Sequence, residues 1–112
     1  MVEYDSIAFL AQEMTRGQNL DAYSFAYVDM SVWQSAPASA RIYLPTRDED
    51  EDEDEDGMPL VVTQQGLRNL LSIADLEGVV SNFRKACPNG TTAELIDAIN
   101  HYREYDAYKY LY

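Results

Sequence analysis

The sequence predicts an α+β fold: an N-terminal helix, a small antiparallel β-sheet or hairpin, an acidic loop, and two C-terminal helices packed on the sheet. Three observations carry this expectation. Apolar residues recur at helical spacing once near the start and twice near the end, aromatic and β-branched residues alternate between positions 22 and 44, and nine consecutive carboxylates separate the two halves. A chain of 112 residues suits one domain that buries roughly two-thirds of its unfolded surface around a single core. One domain over 1–112 with an acidic loop at 47–57 is therefore expected.

Ile7, Leu10, Ala11 and Met14 fall at i, i+3, i+4 and i+7, one face of a helix over 6–16. Asp5 or Ser6 caps its start and Gly17 ends it. From 22 to 33 the period becomes two, with Tyr23, Phe25 and Tyr27 on one side and Ala26, Val28, Met30 and Val32 on the other, which predicts a strand. Residues 34–39 contain Pro37 and small polar side chains and read as a loop. Residues 40–44 form a second short strand stopped by Pro45, and a β-hairpin with a wide loop is the simple connection. Beyond the acidic run, Leu60, Val61 and Val62 precede Gly66 and an LRNLLS stretch suited to another strand. Ser72 stands at an N-cap position before Ile73, Leu76, Val80 and Phe83, which share one helical face. Pro88-Asn89-Gly90 is a turn, and Thr91 with Glu94 has capping-box spacing ahead of a helix carrying Leu95, Ile96, Ile99 and Tyr102. So short a connection makes these two helices antiparallel neighbours. The final stretch holds Tyr105, Tyr108, Tyr110 and Tyr112, and the chain is expected to leave the helix there and become extended.

Charge restricts the partners. There are 20 acids against 8 bases, a net charge of −12, and nine of the acids run without interruption from 48 to 56. Removing the run leaves 11 acids against 8 bases, an ordinary mildly acidic domain. Like charge repels nucleic acid and anionic membranes before short-range contact forms, so a basic partner is favoured. The run cannot be buried, because unpaired carboxylates are prohibitive in a core, and neighbouring charges oppose regular structure. No apolar stretch approaches the ~20 residues needed to span a bilayer. The lone Cys87 forms no internal disulfide, and no N-terminal stretch reads as an export signal, so a reducing cytoplasm is expected.

The second half, GLRNLLSIADLEGVVSNFRKACPNGTTAELIDAINHYREYDAY, resembles the C-terminal part of a group of small acidic bacterial proteins of immunity type, some found beside polymorphic or contact-dependent growth inhibition toxins. The residues that carry the likeness are Gly66, Leu67, Leu71, Ser72, Ile73, Asp75, Val79, Pro88, Asn89, Asp106, Ala107 and Tyr108. Most are core and cap positions, which report a fold. What the resemblance implies about activity is an immunity role, without saying which toxin is bound.

The candidate chemistry is sparse. Glu94, Asp97 and His101 share roughly one face of the last helix, the spacing of a metal or general-base site, but with no second His or Cys pair a surface ion-pair network is the better reading. Cys87 lies at a helix end, the unfavourable side of the dipole for a thiolate, with the sole His 14 residues away. A partly buried structural thiol is expected. No phosphate loop, CxxC pair or serine elbow occurs. Neither catalysis nor a metal or cofactor is expected, and the acidic run lacks the converging oxygens of a calcium site.

The function expected from these observations is that of an immunity protein binding a basic toxin domain, a nuclease in particular, as a one-to-one heterodimer. Acidic residues steer the encounter and aromatic ones hold the docked complex. The contact residues expected are Trp33, the run residues Asp48, Glu49, Asp50, Glu51 and Asp52, and Glu104, Tyr105, Asp106, Tyr108 and Tyr110. The alternative is a general acidic adaptor or nucleic-acid mimic that binds several basic proteins. Because no side chain of the run contributes apolar burial, replacing 48–56 with a Gly/Ser linker is expected to leave the melting temperature unchanged or raise it. A fall of more than about 8 °C, over ~1 kcal/mol for a domain of this size, contradicts that reading.

Overall fold

The structure, a computed structural model, describes residues 1–46 and 60–110. The acidic run and its carboxylates lie outside the described residues. Strands β1 (Val2–Tyr4), β2 (Phe25–Val28), β3 (Ile42–Leu44) and β4 (Arg68–Ser72) form an antiparallel sheet in the order β1-β3-β2-β4. Five helices are described: α1 (Ile7–Thr15), α2 (Met30–Ser35), the short α3 (Leu60–Thr63), α4 (Ile73–Ala86) and α5 (Thr92–Tyr105). The α+β class and the two C-terminal helices on the sheet are as the sequence predicts.

Strand alternation sorts the side chains into two clusters. Ala26, Val28, Ile42 and Leu44 join Ile7 and Leu10 of α1, Leu76 and Phe83 of α4, and Leu95 and Ile99 of α5 in one core. Tyr27 points to the opposite face, where it packs with Val62 and Leu67 in a smaller cluster. That second cluster depends on how α3 ends. The N–H of Leu67 donates to Val62 O (2.9 Å) and that of Gly66 to Thr63 O (3.1 Å), with Gly66 at φ 71°. This is a Schellman closure, and its usual apolar contact is made here by Leu67 on Val62. Helix α1 ends the same way, with Gly17 at φ 85° and the N–H of Gln18 bonded to Glu13 O.

The caps are mostly those expected. Ser6 accepts from the N–H of Phe9, Ser72 from that of Asp75, and Thr91 and Glu94 form a complete capping box. The hydrogen-bonded contacts that join the start of α4 to the end of α5 make them antiparallel neighbours, since Tyr102 Oη donates to Asp75 Oδ1 at 3.1 Å.

Two elements differ from expectation. The strand predicted over 22–33 stops at Val28, and Met30–Ser35 is helical. Asp29 is the reason: its carboxylate accepts from the N–H groups of Ser31 (3.0 Å) and Val32 (3.4 Å), which starts a helix where Val32 and Trp33 alone favour a strand. With a further 3₁₀ turn at Pro37–Ser39, the wide loop of the expected hairpin is largely helical. The second difference is the edge strand β1, which the sequence did not announce and which pairs Val2, Glu3 and Tyr4 with Leu44, Tyr43 and Ile42.

Strand β4 carries a bulge. Leu71 faces Ala26 and Asn69 faces Tyr27, so Leu70 has no partner across the ladder. The extra residue lets Leu70 and Leu71 both enter the core. The carbonyl of Leu70 finds its donor in Arg103 Nε of α5, at 3.0 Å. Arg103→Met keeps an apolar stem and removes that donor, so urea denaturation is expected to show a loss of about 1–2 kcal/mol. Lys85→Met, at an exposed cation, is expected to change stability by less than about 0.5 kcal/mol. Equal, small effects from the two variants would mean that the bulge does not need Arg103.

Candidate partner-binding face

Helix α5 buries Leu95, Ile96, Ala98 and Ile99, which leaves Asp97, Asn100 and Glu104 on its outer side. Between this side and α2 with its following turn runs a groove of about 580 Å³, lined by Trp33, Pro37, Asp97, Asn100, Arg103 and Glu104 among others. Trp33 forms the floor. It is only 2% exposed, packed in the main core, and its Nε1 donates to Asn100 Oδ1 at 2.9 Å. Trp33 therefore sits in a helix as a core residue and presents almost no surface, where the sequence placed it at a strand end.

The other expected contact residues gather where α5 ends. Asp106 adopts the left-handed conformation (φ 53°), which a short polar side chain tolerates, and its N–H donates to Tyr102 O at 2.8 Å. Beyond it the chain leaves the helix, as expected, and folds back along α4. The Tyr108 ring packs on Tyr102 (5.5 Å between centroids) and its hydroxyl lies over Gly78. Tyr110 packs on Phe83 (6.3 Å), and its carbonyl accepts from Nδ2 of Asn82, which is 8% exposed inside the α4 face. Tyr105 and Tyr108 remain 61% and 44% exposed. Exposed Tyr105 and Tyr108 thus lie beside the exposed acids Glu104 and Asp106, whereas Tyr110 is mainly a clasp on α4.

Two tyrosines are tied into the fold strongly enough to change their acidity. Donation to the Asp75 carboxylate, helped by burial, pushes Tyr102 up to about 12. The hydrogen bond with the Cys87 thiol, again helped by burial, pushes Tyr110 up to about 12. Cys87 is thus a half-buried partner of the C-terminal segment, in keeping with a structural thiol. On α2, the Ser31 hydroxyl at 2.7 Å and the N–H of Val32 hold Asp29 below the usual carboxylate range.

Glu94, Asp97 and His101 are put to three uses. Glu94 accepts from the N–H and hydroxyl of Thr91, His101 packs on Tyr105 (4.7 Å between centroids), and Asp97 lines the α5 groove. Neither Glu94 nor His101 lines that groove, and no ion pair joins the three among the described residues. Nor do any three His, Cys, Asp or Glu side chains among the described residues converge on a metal position. Sequence reasoning missed Asn82 and Asn100. Asn82 carried a signal, a polar residue placed on the apolar face between Val79 and Phe83. Asn100 carried none, because its role comes from Trp33 across the fold.

These features define a small α+β domain with an acidic, tyrosine-bearing end to its last helix. Residues 30–110 match the family described as Domain of unknown function (DUF7716), and the chain belongs to that family. The match runs from the first residue of α2 through the segment that clasps α4. No curated protein and no solved structure matches the chain. No helix among the described residues is long and apolar enough to cross a membrane.

The raised tyrosines give a pH dependence with a definite sign. Each is held neutral in the folded chain to about pH 12 against an ordinary value of 10.0. Their stabilising contribution is therefore complete below pH 10 and lost as the pH rises through 12. Denaturation midpoints are expected to fall across this window in the native protein. The Tyr102→Phe variant should start lower and fall less steeply; an identical slope would detach Tyr102 from the alkaline transition.

Proposed function

We propose that this chain is an immunity-type protein that binds and neutralises a basic bacterial toxin domain, of the class that cuts nucleic acid, by covering its substrate surface in a one-to-one complex in the cytoplasm. The observation that carries the reading is the company of exposed Glu104 and Asp106 with exposed Tyr105 and Tyr108 at the end of α5, beside Asp97. Surfaces that grip nucleic acid are basic, and acids attract them over a Debye length before contact, which raises the association rate. Tyrosines offer large amphipathic area at little entropy cost once docked. The nine-residue acidic run supplies further charge to the encounter. The likeness of residues 66–108 to immunity-type proteins points the same way.

Binding kinetics with the product of a neighbouring toxin gene, at low and high salt, test the reading. Amide substitutions at Asp48, Glu49, Asp50, Glu51 and Asp52 are expected to lower the association rate and flatten its salt dependence. Tyr105→Ala is expected to speed dissociation about thirtyfold, the equivalent of ~2 kcal/mol at an anchor. Tyr105 is the informative position because Tyr108 and Tyr110 also hold the C-terminal segment on α4. If no basic partner binds tighter than about micromolar, the immunity reading falls. Several basic proteins bound alike, each lost at high salt, would replace it with a general acidic adaptor.

A further inference from the structure

We propose that the groove between the end of α1 and the outer face of α4 binds a small monocarboxylate with a short apolar body. This site is independent of the α5 face and of the reading just given. It encloses about 420 Å³, within the usual range of small-molecule pockets, and is lined by Met14, Thr15, Glu77, Val80, Ser81, Arg84 and Lys85. It lies on a different face of α4 from Gly78 and Asn82, which the C-terminal segment covers.

Arg84 is the reason to expect an anion. Among the described arginines, Arg16 pairs with Glu13, Arg41 with Glu3, Arg68 donates to Leu67 O, and Arg103 donates to Leu70 O. Among the described residues Arg84 has only the Phe83 ring, 5.9 Å from its guanidinium carbon, and its buried Nε finds no acceptor there. A buried charged donor without an acceptor is costly, and a chain of net charge −12 has carboxylates to spare for pairing it. Instead its guanidinium and the neighbouring Lys85 line an open groove. An oxyanion entering there meets the accessible edge of this uncompensated cation, and a planar carboxylate matches a guanidinium in geometry.

The rest of the groove narrows the ligand. Met14 and Val80 give it apolar wall. Glu77 lies seven residues before Arg84 on the same helix face, roughly 10.5 Å away along the axis at 1.5 Å per residue. A second carboxylate at that end meets Glu77, so dicarboxylates are disfavoured. A single carboxylate at Arg84 with an apolar tail of about five carbons directed toward Glu77 lies along the Met14 and Val80 wall.

Hexanoate is a suitable probe, titrated into the intact protein while the NMR signals of the Met14 methyl, the Val80 methyls and the Arg84 Nε–H group are followed. Saturable shifts at all three are expected, with hexanamide, its neutral counterpart, at least about tenfold weaker. Adipate is expected to bind weakly to the native protein and to gain several-fold in Glu77→Gln. Arg84→Met removes the orphan donor, so it should fold with an unchanged or raised melting temperature and lose the hexanoate response. The proposal is overturned if hexanoate leaves those signals unmoved, if hexanamide binds as well, or if folded Arg84→Met responds like the native protein. Should Arg84→Met not fold, an adipate response unchanged by Glu77→Gln overturns it as well.

Discussion

The arrangement of the whole domain depends on the junction at Ser72, where β4 becomes α4 with no residue in between. Ser72 pairs with Phe25 across the sheet while its hydroxyl accepts from the N–H of Asp75, and the next N–H, from Ile73, donates to Ser24 O at 2.9 Å. A strand hydrogen bond and a helix cap therefore act on the same residue. The direction of α4 is set by the sheet, with no loop to relax it. Helix α1, helix α5 and the C-terminal segment all pack on α4, so each inherits its position from this one residue. The bulge at Leu70 works with the junction, because it turns two successive leucines inward just before the chain changes from period two to period 3.6.

Fixing α4 in this way also separates the polar surfaces. Its inner face is committed to the core, one flank receives α5 and the returning C-terminal segment, and the other meets α1. Acidic side chains with exposed tyrosines collect at the far end of α5, and Arg84, unpaired among the described residues, collects with Lys85 on the α1 side. A chain of strong overall negative charge thus keeps one small positive groove apart from its most acidic helix. The two surfaces thus differ in the sign of their charge and lie on different parts of the fold.

The parts of the fold legible in the sequence were those written in local chemistry. Ser6, Ser72, Thr91 and Glu94 cap helices by bonds three residues long, and the apolar faces behind them repeat within a turn. Asp29 was equally local, yet its capping signal was outweighed by an alternation of Ala26, Val28, Met30 and Val32 that continues across a helix start. Strand β1 was illegible because three residues at an edge carry too little pattern to stand out, and its pairing partners lie about forty residues away. For the candidate face, composition pointed to acids and tyrosines at the C-terminus. It did not distinguish exposed Tyr105 from the clasped Tyr110, because that difference is made by Phe83, Asn82 and Cys87, which are distant in sequence. The burial of Trp33 is illegible for the same reason: its partner Asn100 is 67 residues away.

Gly78 gives one consequence for anyone altering this protein. A glycine inside a helix is ordinarily a weak point, and replacing it with alanine gains about 0.5–1 kcal/mol by restricting the unfolded chain and extending helix propensity. Here a Cβ would meet the Tyr108 hydroxyl and ring. The missing methyl is a socket, and the helix has given up propensity to seat a side chain thirty residues further on. Consensus or propensity-guided stabilisation would select this position first and would unseat the C-terminal segment by doing so.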